Sequence, residues 1–297
     1  MEYTEDSLQT KIYQTHGMIM TTKSHKTPLR YPGGKSRALS KLFQFVPDLS
    51  KYTEYREPFL GGGSVALEVT KRYPHLKIWV NDLYEPLYNF WKEIQDNGEE
   101  IKDKLIEYKS LYPNPDTARQ LFVESKELVN DQTLGSLDRA VRFYIVNKCS
   151  FSGLTESSSF SQQASISNFS MNGIEKLTGY QELIVNWKIT NKSYEDLFSD
   201  SKQVFTYLDP PYEIKDNLYG KKGAMHDAFS HDNFAVECDR YAGHQLISYN
   251  SSALIKERFK DWIASEFAHT YTMRSVGTYN TDQASRKELV LYNYSLS

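Results

Sequence analysis

Val204-Phe205-Thr206-Tyr207-Leu208-Asp209-Pro210-Pro211-Tyr212 is the stretch that decides the fold. Its first five residues are apolar, aromatic or β-branched, and read as a buried strand. The acid and two prolines that follow cannot continue it, because proline locks φ and lacks an N–H. A strand ending in so stiff a loop places that loop at the carboxyl edge of a sheet, where open α/β folds bind ligands. The alternative is a plain turn, since Asp-Pro opens turns well. The strand before it and the motifs elsewhere favour a site.

Working outward, 55–59 reads as a short strand running into Gly61-Gly62-Gly63. Residues 64–73 read as a helix, and 78–80 as a second strand that ends at Asn81-Asp82. Strand, glycine turn, helix, strand and acid is the opening of a nucleotide-binding α/β fold. The turn Glu57-Pro58-Phe59-Leu60-Gly61-Gly62-Gly63-Ser64 is neither a P-loop nor a full GxGxxG. Its glycines let the backbone approach a ligand closely. Asp82 lies roughly 20 residues on, where an acid binds ribose hydroxyls. Upstream, Arg30-Tyr31-Pro32-Gly33-Gly34-Lys35 leads into helical spacing over 36–46, stopped by Pro47. There Tyr31 is placed to cover a ligand face and Lys35 to reach a carboxylate, with a bare helix-entry turn as the alternative.

Residues 86–130 read as charged helix broken at Pro113 and Pro115, and 138–146 as an amphipathic helix. The Ser/Gly/Asn/Gln-rich stretch 150–173 is too polar for core and too aromatic for a linker. Strand-like segments return at 183–189 and 245–249, and about 268–276 and 288–294 suit an antiparallel hairpin. Phe229-Ser230-His231-Asp232 opens a helix with Ser230 as its cap. The expected architecture is α/β: a Rossmann-like sheet from 27–85 and 190–297 with a C-terminal antiparallel hairpin. A mostly helical region, 86–189, is inserted, and 1–26 forms a flexible extension.

The length suits one catalytic domain with such an insert. A net charge of −3 does not mark a nucleic-acid binder, but phosphate contacts need only local positive charge. Lys23, Lys26, Arg30, Lys35, Arg37 and Lys41, with His25, form one such cluster, a solvated face being the alternative. Lys221-Lys222 and Arg286-Lys287 are basic pairs suited to phosphates. The 22 tyrosines suit stacking on bases. No run of about 18 apolar residues exists, and the N-terminus has no signal-peptide core. Cys149 and Cys238 lie far apart and match no metal spacing. A cytoplasmic protein without membrane or metal is expected.

The chemistry accounts for these residue types. An adenine amine is a poor nucleophile because its lone pair is delocalised into the ring. Acceptors at its two N–H groups favour a tetrahedral nitrogen and localise that pair. The Asp209 carboxylate and a prolyl carbonyl from Pro210-Pro211 suit two such acceptors, and the Tyr212 ring suits a base that has left the duplex. Against a sulfonium methyl, catalysis rests on position and electrostatics.

Together these residues resemble the Dam-like DPPY family of DNA adenine N6-methyltransferases, with the α-class order of motifs. Aromatic-x-Gly-Gly-Lys, F-x-G-x-G, the acid, an inserted recognition region and DPPY follow one another over most of 27–297. The resemblance implies S-adenosylmethionine as cofactor and double-stranded DNA as substrate. It implies that Tyr31, Lys35, Asp82 and Asp209 contact the cofactor, with Gly33 and Gly34 in the same loop. Glu57, Phe59, Gly61 and Gly63 shape its methionine side, and Asp209, Pro210 and Tyr212 hold the adenine. Asn147-Lys148-Cys149-Ser150-Phe151-Ser152-Gly153-Leu154 is similar to the family's asparagine-led recognition hairpin, making Asn147, Lys148, Ser150, Phe151 and Ser152 expected DNA contacts beside Lys221 and Lys222. Glu156-Ser157-Ser158-Ser159 replaces the Arg-Tyr-Asn run of GATC-specific members, so GATC is not the expected site. A restriction endonuclease acting separately is the expected protein partner. The alternatives are a relative that methylates an RNA base or a protein amide, or one that binds DNA without catalysis. The amide enzymes usually carry Asn-Pro-Pro-Tyr and lack the Gly-Gly-Lys element, against Asp209 and Lys35 here.

Overall fold

β4 (Val204–Leu208) is buried at every position, as a continuous apolar run demands of a strand covered on both faces. It lies parallel to β1 (Glu54–Glu57) on one side and to β5 (His244–Asn250) on the other. Beyond β1 come β2 (Lys77–Asn81) and β3 (Lys188–Thr190), both parallel. Beyond β5 come β7 (Lys287–Tyr292) and β6 (Ile263–Ala268), each antiparallel to its neighbour. This computed structural model describes residues 27–31, 34–151, 153, 157–212, 229–268 and 287–296. Among them the sheet has the order β3-β2-β1-β4-β5-β7-β6.

The chain moves outward from β1 in one direction and from β4 in the other. The two strands are neighbours, so their carboxyl ends flank a crevice at the switch point, where Glu57 ends β1 and Asp209 follows β4. The expected Rossmann-like sheet with an antiparallel C-terminal pair is the observed one. The pair begins earlier than expected, since β6 ends at Ala268, and 269–286 lie outside the described residues. β6 is an edge strand with alternating exposed and half-buried positions, which weakens its apolar signal.

Helices cover both faces. α1 (Leu39–Leu42) is shorter than the expected 36–46 helix and follows a 3-10 turn at Lys35–Arg37. α2 (Ser64–Arg72) links β1 to β2. α3 (Glu85–Leu111) is kinked at Asn97, and α4 (Pro115–Leu128) starts from a capping box between Asn114 and Thr117. Then come α5 (Ser136–Cys149), α6 (Gln162–Ser167), α7 (Met171–Glu175) and α8 (Leu177–Ile184). The segment 183–189, expected as strand, is divided: Leu183 and Ile184 end α8, and only Lys188–Thr190 pair in the sheet. Buried Leu177 and Ile184 are seven residues apart, a helical spacing that outweighed the local strand signal.

One apolar cluster runs from Tyr55 and Val80 of the sheet through Trp91 and Ile94 of α3 to Phe143 and Tyr144 of α5. The helices of 86–189 therefore share their core with one sheet face. A second cluster covers the other face, joining Leu208, Ile247, Tyr249 and Leu289 to Phe234 of α9 (His231–Arg240) and to Phe259, which follows α10 (Ala253–Arg258). Leu246 and Ile247 fall in different clusters, as the two-residue period of a strand requires. Among the described residues, no helix is long and apolar enough to cross a membrane.

Candidate active site

At the switch point the stiff loop after β4 meets the N-terminal Gly-Gly-Lys element. Lys35 is buried and its Nζ lies 3.0 Å from Asp209 Oδ1 and 3.1 Å from Glu288 Oε1 of β7. Nζ also donates to the Tyr212 hydroxyl at 2.6 Å, and that hydroxyl donates to Glu288 Oε1. One ammonium thus serves two carboxylates and a phenol. The Tyr212 ring stacks on Tyr249 of β5 at 6.1 Å. Asp209 is partly exposed, with Lys35 on Oδ1 and no described donor on Oδ2. Burial raises its pKa to about 6; Lys35 opposes the rise and Glu288 adds to it. Pro210 is buried, and Pro211 and Tyr212 are half-buried.

The glycine turn after β1 forms the neighbouring wall. Gly61 and Gly63 both have positive φ, at 52° and 73°. A Cβ on Gly61 would lie 2.9 Å from the Tyr31 ring, and one on Gly63 would lie 2.7 Å from Trp91. Trp91 donates its indole N–H to the Gly61 carbonyl at 3.0 Å. The Tyr31 ring therefore lies directly against this turn. Gly34 closes the Tyr31 loop by donating its N–H to the Tyr31 carbonyl at 3.0 Å. Asp82, just past β2, accepts N–H bonds from Gly61 at 2.9 Å and from Tyr84 at 3.0 Å. Burial raises its pKa to about 6 against those two bonds. Glu57 is buried and accepts the Tyr55 hydroxyl at 2.6 Å. Its pKa is pushed well up by burial and, further, by Asp209.

A set of rings lines the other flank. Phe59 stacks on Tyr194 at 5.4 Å and meets Phe229 and Phe234 at 5.9 Å each. Ser230 caps α9 by accepting the Asn233 N–H, as expected, and His231 Nδ1 is hydrogen-bonded to the Tyr249 hydroxyl. The Phe229 segment is both a helix start and part of the aromatic wall.

Tyr31, Lys35, Glu57, Phe59, Gly61, Gly63, Asp82, Asp209, Pro210 and Tyr212 therefore converge on the carboxyl ends of β1, β2 and β4. Gly33, Ser152, Lys221 and Lys222 lie outside the described residues. The hairpin contacts divide. Asn147 and Ser150 are fully buried. Asn147 holds the backbone of Arg30 and Gly153, and Ser150 accepts the Gly153 N–H at 2.8 Å. Both side chains are engaged by the protein's own backbone. Phe151 is 51% exposed. Lys148 is half-buried, its pKa lowered to about 8 by burial and by Arg30.

Of the expected basic cluster, Lys23, His25 and Lys26 lie outside the described residues, and three of the described members have specific partners. Arg30 donates to the carbonyls of Ser150 and Phe151, Lys41 donates to Ala268, and Lys35 belongs to the site. A second departure concerns Tyr212: its hydroxyl is held between Lys35 and Glu288, so the ring is not its only working part. Glu288 and Tyr249 escaped the sequence reading. The one available signal for Glu288 was a lone acid at the head of the apolar run Leu289-Val290-Leu291. Among the described residues, no three His, Cys, Asp or Glu side chains are grouped to hold a metal ion.

The chain is 22% identical over 281 residues to the Type II methyltransferase M1.LlaDCHI of Lactococcus lactis subsp. cremoris, covering 89% of this chain and 94% of that one. It is 24% identical over 198 residues to the Type II methyltransferase M.MjaIII of Methanocaldococcus jannaschii, covering 62% and 68%. It is 26% identical over 126 residues to a DNA N-6-adenine-methyltransferase of Escherichia phage P1, covering 42% of this chain and 15% of that one. Residues 31–276 match the family described as D12 class N6 adenine-specific DNA methyltransferase, and with that match the chain belongs to this family.

Proposed function

We propose that this chain transfers a methyl group from S-adenosylmethionine to the N6 amine of an adenine flipped out of duplex DNA. The observation that carries the reading is Asp209. It sits at the switch point with one carboxylate oxygen on Lys35 and the other without a described donor. The open oxygen is positioned to accept one N–H of the amine, and a prolyl carbonyl of the same loop is the second acceptor. As nitrogen attacks, it gains positive charge, and an anionic Asp209 stabilises that charge in place. Tyr212, backed by Tyr249, supplies a ring for the flipped base.

The site residues fit the cofactor. Gly61 lies against the Tyr31 ring and Gly63 against Trp91, neither with room for a Cβ, so the turn keeps its backbone bare at the mouth of the crevice. Asp82 is fixed by two N–H bonds and keeps lone pairs for ribose hydroxyls. Asp209 lines the cleft with a carboxylate and Lys35 brings the matching cation, while Glu57 is buried with its pKa pushed well up. When bound, S-adenosylmethionine supplies a methyl on a cationic sulfur. Sequence recognition is assigned to 86–189, with Phe151 at the exposed tip of the region that includes Lys148. Lys221 and Lys222 are assigned to phosphates. The names of two relatives as Type II methyltransferases support a separate partner endonuclease. Buried free thiols at Cys149 and Cys238 suit a cytoplasmic enzyme.

The test is expression in a host without DNA methylation, followed by single-molecule sequencing of its genome. N6-methyladenine in one short sequence context is the expected result. A genome without methyladenine contradicts the proposal.

A further inference from the structure

Lys35 has more anionic partners than a simple ion pair needs. If it faced Asp209 alone, the pair would be neutral, and the carboxylate would have little charge left for an amine turning cationic. Glu288 changes that balance. It is fully buried, lies 3.1 Å from the same Nζ, and gives the one ammonium a second carboxyl partner. It is also the acceptor for the Tyr212 hydroxyl. The strand holds it there: Glu288 is paired in register with Asn250 at the carboxyl end of β5, one residue beyond the Tyr249 that stacks on Tyr212.

We propose that Glu288 is a positioning residue for methyl transfer, drawing Lys35 away from full neutralisation of Asp209 and fixing the Tyr212 ring through its hydroxyl. Glu288 touches neither the base nor the cofactor in this role; it acts through Lys35 and Tyr212. A buried acid serving only as structural filler would be an odd choice, since an uncharged side chain of that size avoids the desolvation cost. The role rests on the adenine-methylation reading of the same site.

The groups facing Asp209 are Lys35, Glu288, Glu57 and Tyr207. Glu288 is among the causes that raise Asp209, so its removal lets Asp209 stay charged to lower pH. The experiment is single-turnover methylation by the full chain, using S-adenosylmethionine and a duplex that carries the mapped site, across pH 5 to 9 (roughly the span over which such carboxylates and their neighbours titrate). Glu288→Gln should lower the plateau rate roughly 10-fold to 100-fold, leave duplex affinity unchanged, and move the acidic limb to lower pH. Combining it with Tyr212→Phe should give a loss smaller than the product of the two single losses, because Glu288 and the Tyr212 hydroxyl act on the same Lys35 ammonium. If Glu288→Gln does not fold, Tyr212→Phe reports the same bond from its other end and should lose rate at an unchanged melting temperature. A wild-type plateau rate, an acidic limb that does not move, or losses that multiply in the double variant would each overturn the role. Wild-type protein that methylates no adenine would instead sink the underlying reading.

Discussion

The Asn147 side chain grips Arg30 from both sides of one residue. Its Oδ1 accepts the Arg30 N–H at 2.9 Å, and its Nδ2 donates to the Arg30 carbonyl at 2.6 Å and to the Gly153 carbonyl at 2.7 Å. Arg30 in turn donates from its guanidinium to Ser150 and Phe151. Arg30 immediately precedes Tyr31, so the loop that covers the glycine turn is tied to the end of α5 and the segment around Phe151. Asn147→Ala strands the buried Gly153 carbonyl and the half-buried N–H and carbonyl of Arg30. Each unmet buried group costs about 1–3 kcal/mol, so the variant should unfold at clearly lower denaturant. A variant of wild-type stability that loses only sequence preference would contradict this and return Asn147 to base reading.

Gly63→Ala tests the turn. At φ 73° an L-residue is strained, and the new Cβ meets Trp91, which is itself fully buried and bonded to Gly61. Overpacking of this kind typically costs about 1–3 kcal/mol. A thermal melt should show a lower midpoint, and an unchanged midpoint would mean that Trp91 can move aside freely.

Asp82→Ala removes an acceptor from the Gly61 and Tyr84 N–H groups as well as from the proposed ribose contact. Calorimetry should show S-adenosylmethionine affinity weaker by about 1–3 kcal/mol. Undiminished affinity would remove Asp82 from the site.

Much of this site was legible in the sequence because its residues sit at ends of strands. β2 and β4 are short strands with apolar centres, β1 carries a buried Tyr55, and all three are followed by glycine, acid or proline, which are the proposed site residues. Other parts depend on packing. Glu288 matters only because β7 inserts next to β5 and brings it to Lys35, which lies near the other end of the chain. Asn147 was legible as part of the expected recognition segment, but its bonds to the Arg30 backbone, 117 residues away, depend on packing. The weak strand signal of β6 and the helical end of α8 were decided by neighbours that no local window contains.

Charge at Asp209 should show in the pH dependence. Its pKa is raised to about 6, so lowering the pH through that value neutralises the carboxylate and removes the partner of the developing cation. Single-turnover rate should therefore fall on the acid side with a midpoint near that value and flatten above it. A rate independent of pH down to about 4, the ordinary carboxylate range, would show that Asp209 is not so raised or does not act as an anion.

The most direct measurement is the single-turnover methylation rate of Asp209→Asn beside its duplex affinity. The amide keeps the shape and one acceptor oxygen, so binding of the flipped adenine should largely survive. The charge is gone, and losing one preorganised electrostatic contact typically costs about 10²–10³ in rate. The account predicts duplex affinity near that of the wild type with a methylation rate lower by at least about 10². A variant that methylates at the wild-type single-turnover rate would contradict the catalytic role given to the loop after β4.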